Sequence, residues 1–231
     1  MSSENGSVAS VANGRGAPRG LLKEHAYEEI KRRLLRADYP PGSFLSERQL
    51  AEDLGMSKTP VKAALERLEH EGFITVSPQQ GIVVREMALA EIADVYQIRL
   101  ALEGYTVRVV AGKLKPDQAV ALRDNLAAQA AILGRGDVET GVRLDARFHL
   151  LFAEFLGNQE ILRVSHALRD KMQRVITAVF RINPGRIDSS YVEHKAIAEA
   201  VLGGDGAEAA RLIEHHLAVG KQYLLSTRHE G

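Results

Sequence analysis

The stretch SERQLAEDLGMSKTPVKAALERLEHEGFITVSPQQGIVV, residues 46–84, decides the fold of the first part of this chain. Ser46 followed three residues later by Gln49 has the form of a capping box, and Gly55 closes a helix of about two turns. Ser57 stands where it can cap a second helix, with Pro60 in its first turn, where a missing N–H costs little. After Gly72 the three-and-four spacing gives way to strands: FITVS, the turn PQQG, then IVVRE. Two helices joined by a tight turn and followed directly by a β-hairpin make a winged helix-turn-helix.

Upstream, LLKEHAYEEIKRRLLRADYPPG spaces Leu22, Ala26, Ile30 and Leu34 by four, and Pro40, Pro41 and Gly42 end that helix. Its basic cluster Lys31, Arg32, Arg33 and Arg36 suits phosphate, but Glu28 and Glu29 lie beside it, so a solvated face explains it equally well. Residues 1–20 are rich in Ser, Gly, Ala and Asn without periodicity, and read as a disordered arm carrying Arg15 and Arg19.

The 231 residues suffice for two ordinary domains. Expected are the arm over 1–20, a winged helix-turn-helix over 21–86 and a helical domain over 87–231. Lys plus Arg and Asp plus Glu both total 30, and the two signs also balance within residues 1–86. A DNA-binding role therefore rests on local pattern, not on charge. Cysteine is absent, which excludes a disulfide scaffold and thiolate metal sites. No apolar run approaches the roughly 20 residues of a membrane helix, and the start lacks a secretory segment. A cytoplasmic protein with no membrane partner is expected.

From Leu89 onward the sequence reads as long helices: LAEIADVYQIRLALEGYTVRVVAG, PDQAVALRDNLAAQAAILG, DVETGVRLDARFHLLFAEFLG, NQEILRVSHALRDKMQRVITAVFRI, one through EHKAIAEAVLGG, and AEAARLIEHHLAVGKQYLLS. The expected fold class is thus mainly α: an N-terminal winged helix-turn-helix with a small β-hairpin wing, then an all-α antiparallel bundle. Inward side chains from different helices can build a central site in such a bundle.

One set of inward positions carries chemistry. Val142, Asp145, His149, Phe152 and Leu156 keep a helical step, so an aspartate and a histidine share an apolar face. Ser190, His194, Ile197 and Val201 form a second such stripe, and Leu212, His216 and Tyr223 a third. His215 falls instead with Glu208 and Arg211, and His166 with Arg163 and Asp170, both on polar faces. A single inward histidine is commonly a hydrogen-bonded core residue. Three of them with a buried carboxylate, which is costly unpaired, point to a shared divalent cation held by Asp145, His149, His194 and His216. Nitrogen and oxygen donors admit zinc first, then nickel, manganese or iron.

The chain over 21–84 resembles the winged-helix DNA-binding domain of the GntR family of bacterial transcription regulators. The resemblance rests on PPG before Ser-Glu-Arg-x-Leu-Ala, the Leu-Gly-x-Ser-x-Thr-Pro-Val turn, the Ala-Leu-x-x-Leu-x-x-x-Gly run and the wing glycine. Asp145-x-x-x-His149, Glu193-His194 and His216-Leu217 resemble the effector domain of the FadR subfamily, an all-helical dimerisation and ligand-binding module that in many members holds a metal. The resemblance implies that Lys58, Thr59 and Lys62 on the recognition helix, Arg48 on the helix before it and Gly81 at the wing contact DNA. Lysines at 58 and 62 depart from the commoner arginines, and Gln80 from a frequent wing arginine, so base selectivity is reduced. It also implies that Arg99 clamps an effector carboxylate, although Arg99 and Glu103 stand i,i+4 and can simply pair. Arg181 and Tyr191 are further candidates for that cavity.

The reading that follows is a homodimeric regulator, more often a repressor in this family, on a roughly palindromic double-stranded operator, with affinity controlled by a small organic acid at a metal-containing pocket. The alternative is a metal sensor in which the cation itself is the signal. An enzyme is disfavoured because no separate general base accompanies the histidines. A metal-free fatty-acyl sensor is disfavoured by the presence of all four ligand residues.

Overall fold

The computed structural model describes residues 19–77 and 81–227. The described chain divides into two compact units: Pro40–Arg85 with the stretch ending at Arg33, and Glu86 onward together with Leu34–Tyr39.

The first unit is built from α1 (Arg19–Leu35, its last residues counted with the second unit), β1 (Phe44–Leu45), α2 (Glu47–Asp53), α3 (Lys58–His70), β2 (Ile74–Ser77) and β3 (Gly81–Val84). Ser46 caps α2, its hydroxyl accepting from the Gln49 amide at 3.4 Å. Ser57 sits at the N-cap of α3 with extended backbone but makes no side-chain cap bond. The strands form an antiparallel sheet in the order β1-β3-β2, with Ile74 opposite Val84 and Phe44 opposite Val83. β1 has two residues and so shows no alternation from which it could have been foreseen. The turn expected at PQQG falls, with Gln80, on residues 78–80, which lie outside the described residues.

Ile30 of α1, Leu50 of α2, Val61 and Leu68 of α3 and Ile74 of β2 are all buried. An ion network closes the α1–α3 seam. The Glu71 carboxylate accepts from the Tyr27 hydroxyl at 2.9 Å and from Lys31 Nζ at 3.0 Å, while the Arg67 guanidinium lies 3.4 Å over the Tyr27 ring. Arg32 and Arg33 both bind Glu29. These members of the basic cluster are therefore engaged on the domain itself.

The second unit contains α4 (Leu89–Val110), α5 (Pro116–Ala130), α6 (Val138–Leu156), α7 (Gln159–Ile182), α8 (Gly185–Gly203) and α9 (Gly206–Thr227). All six expected helices are present. α8 begins eight residues before the quoted Glu193, because Gly185, Ser189 and Ser190 are weak helix formers that obscure its first turns. Its inward face nonetheless runs Ile187, Ser190, His194, Ile197, Val201, all buried. Phe148 and Phe152 of α6, Leu122 of α5, Ile92 and Val107 of α4 and Ile213 and Leu217 of α9 fill the bundle centre. Gly206 meets the backbone of α4 so closely that a Cβ there would stand 2.6 Å from the Arg108 carbonyl oxygen. No described helix is long and apolar enough to cross a membrane.

Candidate metal centre and DNA-reading surface

Asp145 and His149 lie one turn apart on α6, His194 on α8 and His216 on α9, and one ligand atom from each falls within 4.8 Å of all the others. All four residues are buried, His194 completely. Phe148 stacks on the His194 ring with centroids 4.0 Å apart and fixes its plane.

The outer edge of each imidazole is held by a different partner. His149 Nδ1 lies 2.6 Å from Glu103 Oε2, and His216 Nδ1 is bound to Glu193 Oε2. His194 Nδ1 lies 2.9 Å from Gln129 Oε1. Two of these partners are themselves pinned by arginines: Arg99 Nε donates to Glu103 at 2.6 Å, and Arg186 donates to both oxygens of Glu193 at 2.9 and 2.6 Å.

The protonation of His194 follows by tracing bonds back to a group that can only accept. Asn125 Nδ2 donates to the Leu144 carbonyl at 3.2 Å, so its Oδ1 is the atom that accepts from Gln129 Nε2 at 2.7 Å. Gln129 then presents its carbonyl oxygen to His194, and the imidazole must carry its proton on Nδ1. The carboxylates at His149 and His216 impose the same tautomer. Every Nε2 is thereby left with a lone pair.

Those lone pairs face one another. His149 Nε2 and His194 Nε2 lie 3.2 and 3.3 Å from His216 Nε2, and Asp145 Oδ1 lies 3.7 Å from His194 Nε2. Asp145 Oδ2 is buried without a hydrogen-bond partner among the described residues. Converging acceptors with no donor between them are unfavourable in a low-dielectric interior. A divalent cation resolves the conflict, and three imidazoles with one carboxylate suit it in donor type. The residues present therefore fit a metal.

Burial also shapes the charges. It holds the His194 pKa well below its ordinary value of 6.5, with the neighbouring imidazoles acting in the same direction. His216 is lowered too, burial again outweighing the Glu193 carboxylate. Burial alone would raise Glu103, but Arg99 and His149 together bring it down to about 2. Both histidines are thus neutral, as ligands must be, and the carboxylate behind His149 is ionised.

A cavity of about 50 Å³ opens beside the cluster, its wall including Arg99, Thr106, Asp145 and His149 with Met172 and Ile176 of α7. A smaller one of about 30 Å³ shares Arg99, Asp145 and His149 and adds Tyr96, Arg186 and His216. Arg99 is buried and uses only Nε on Glu103, so its Nη groups make no side-chain bond among the described residues. Arg181 is exposed and lines neither cavity; its guanidinium donates to the carbonyls of Arg36 and Ala37, the latter at 3.3 Å. Tyr191 is half-buried and lines neither cavity as well. Sequence reasoning missed Gln129, Asn125 and Arg186. The first two left a signal, since Asn125 and Gln129 continue the inward three-and-four step from Leu122.

On the first unit, Lys58, Thr59 and Lys62 are exposed on the first turns of α3, and neither lysine forms an ion pair among the described residues. Arg48 of α2 is exposed and bound to Glu52 at 2.7 Å. Gly81 opens β3 with φ +80, a left-handed conformation suited to glycine at the edge of a wing turn.

The winged-helix unit and the helical bundle with its buried Asp/His cluster each have a counterpart among known regulatory proteins. Residues 22–84 match the model of the bacterial regulatory proteins of the gntR family, and residues 94–219 match that of the FCD domain. The chain belongs to the GntR family of DNA-binding transcription regulators, with an FCD domain as its C-terminal part. It is 33% identical over 127 residues to an HTH-type transcriptional regulator in the TAR-I ttuE-ttuC' intergenic region of Agrobacterium vitis, covering 54% of this chain and 74% of that protein. It is 25% identical to the HTH-type transcriptional repressor RspR of Escherichia coli strain K12, covering 87% of each. Among solved structures, E. coli McbR/YncC shares the fold with a TM-score of 0.77 at 22% identity, over 90% of this chain and 98% of that one.

Proposed function

We propose that this chain is a cytoplasmic, homodimeric repressor of a roughly palindromic operator, released or retained according to a small organic acid bound beside a divalent metal. The observation that carries this reading is the set of three Nε2 lone pairs and the Asp145 carboxylate facing one point, on the wall of a cavity that also contains Arg99. Asp145, His149, His194 and His216 would hold the cation, zinc first by donor type, with nickel, manganese or iron admissible. Once bound, it supplies a Lewis-acidic position for a ligand oxygen.

The chain's own residues do the rest. Glu103, Gln129 and Glu193 orient the imidazoles through Nδ1. The free Nη groups of Arg99 suit one carboxylate, which a planar fork receives in two bonds. The cavity is small, holding a few water-sized volumes at roughly 10–15 Å³ each. That favours a compact acid over a fatty-acyl chain. Lys58, Thr59 and Lys62 would read or grip the major groove, Arg48 and Gly81 its flanking backbone. Arg181 and Tyr191, lining neither cavity, are not assigned to the ligand.

The test is a thermal-shift screen of the metal-loaded protein against small organic acids, followed by operator titration with the best of them. An acid that raises the melting point and changes operator affinity supports the proposal. If no acid acts and metal alone controls DNA release, the chain is a metal sensor instead.

A further inference from the structure

Two cavities share the wall formed by Arg99, Asp145 and His149, and they differ in how their hydroxyl groups are engaged. The larger one is lined by Thr106 and Ser165, and both are bound to their own helices. Thr106 Oγ1 donates to the Leu102 carbonyl at 2.6 Å and Ser165 Oγ to the Ile161 carbonyl at 2.9 Å. The smaller one is lined by Tyr96 and Ser190. These are buried to 3% and 4% exposure, and neither hydroxyl makes a hydrogen bond among the described residues. Buried hydroxyls are ordinarily paired, because an unmade bond forfeits the water they gave up. Two unpaired ones on one small cavity, beside the unengaged Nη groups of Arg99, are places for the polar atoms of something that enters.

The helices bring these donors together from three sides. Tyr96 and Arg99 lie three residues apart on α4, with the guanidinium carbon 5.7 Å from the phenol ring centre. Gly220 of α9 faces the phenol oxygen, and a Cβ there would stand 3.1 Å from it, so the glycine keeps space around that hydroxyl. Ser190 comes from α8, one turn before His194.

Charge limits the entrant as well. Arg99 is paired with Glu103 and Arg186 with Glu193, so these four cancel. With the imidazoles neutral, the Asp145 carboxylate is left as the net charge on the smaller cavity among the described residues. A divalent cation would reverse it to a single positive charge. One carboxylate then neutralises the buried site, whereas a second would bring in an uncompensated negative charge.

From these observations we infer that the ligand of this site is a hydroxylated monocarboxylic acid, its carboxylate received by Arg99 and its hydroxyl groups by Tyr96 and Ser190. The inference rests on the reading of an acid-responsive regulator with a metal and adds the class of acid. An alcohol group donates and accepts, as Tyr96 and Ser190 do, so it can pair with either; a methylene in its place leaves both buried hydroxyls unmet.

Calorimetry on the full zinc-loaded chain tests it with acids paired by chain length: propanoate with glycerate, butanoate with threonate, pentanoate with ribonate, and succinate with tartrate as dicarboxylates. The hydroxylated monoacid of the fitting length should bind about 100-fold or more tightly than its plain partner, as sites built around hydroxyl recognition do, and more tightly than tartrate. Tyr96→Phe and Ser190→Ala should each weaken the hydroxylated acid about tenfold and leave the plain one within about twofold, with circular dichroism verifying the fold. Plain and hydroxylated acids bound alike at every length would overturn the inference and leave the acid-responsive reading standing. A dicarboxylate that binds tightest, or a preference unchanged in both variants, would overturn it too. If no acid in the panel binds, the inference fails; if metal alone then controls DNA release, so does the reading beneath it.

Discussion

His149 and His216 turn their Nε2 atoms to within 3.2 Å of each other, while each Nδ1 is bound to a glutamate, Glu103 for one and Glu193 for the other. The pair is held from behind and open in front. Replacing either glutamate by glutamine keeps the shape but removes the ionised acceptor and leaves Arg99 or Arg186 without its counter-charge. Glu103→Gln and Glu193→Gln should each lower metal affinity by about 10–100-fold, measured by competition with a chromogenic chelator. Unchanged affinity would mean that neither carboxylate tunes the site.

Acid should loosen the metal-free bundle. His194 and His216 have folded-state pKa values below 6.5, so below that pH the unfolded chain binds protons that the folded chain does not. Stability then falls as pH falls, by up to about 1.4 kcal/mol per pH unit for each group. Urea unfolding of the chelator-treated protein between pH 8 and pH 5 should show the midpoint dropping once 6.5 is passed. A midpoint flat across this range contradicts the neutral, buried state of these rings.

Arg99→Lys retains a positive charge beside Glu103 and discards the fork. If the Arg99 Nη groups receive the effector carboxylate, the acid's dissociation constant should rise about tenfold or more, read by calorimetry with a ligand found in the thermal screen. Wild-type affinity in this variant would place the carboxylate elsewhere in the cavity.

On the first unit, Lys58→Ala and Lys62→Ala separate gripping from reading. A lysine on phosphate contributes about 0.9 to the slope of log affinity against log salt and weakens all duplexes alike. One on a base edge changes the preference among operators and leaves the slope nearly intact. Fluorescence anisotropy over a salt series on specific and scrambled duplexes decides which applies to each.

Much of this was legible in the residues, for definable reasons. The winged helix could be read because Gly55, Pro60 and Gly72 punctuate it locally, and the four cluster residues because each shares a helical stripe with apolar neighbours. The groups behind the imidazoles could not. Gln129 is 65 residues from His194 and Glu103 is 46 from His149, so these pairings depend on how helices cross, which periodicity within one helix does not encode. Arg99 and Glu103 did show their i,i+4 pairing, but not that Glu103 extends through it to a histidine. Arg181, a candidate for the cavity through the family resemblance, donates instead to the backbone carbonyls of Arg36 and Ala37 after α1. The two-residue β1 was too short to carry any pattern.

The cluster draws its atoms from α6, α8 and α9, whereas α7 supplies none of them yet forms part of the cavity wall through Met172 and Ile176. A cation held there would tie α6, α8 and α9 together and leave α7, like α4 and α5, without a bond to it. In the proposed reading an acid in that cavity would touch α7 as well as the cluster, so its arrival would engage a helix that the cation does not hold.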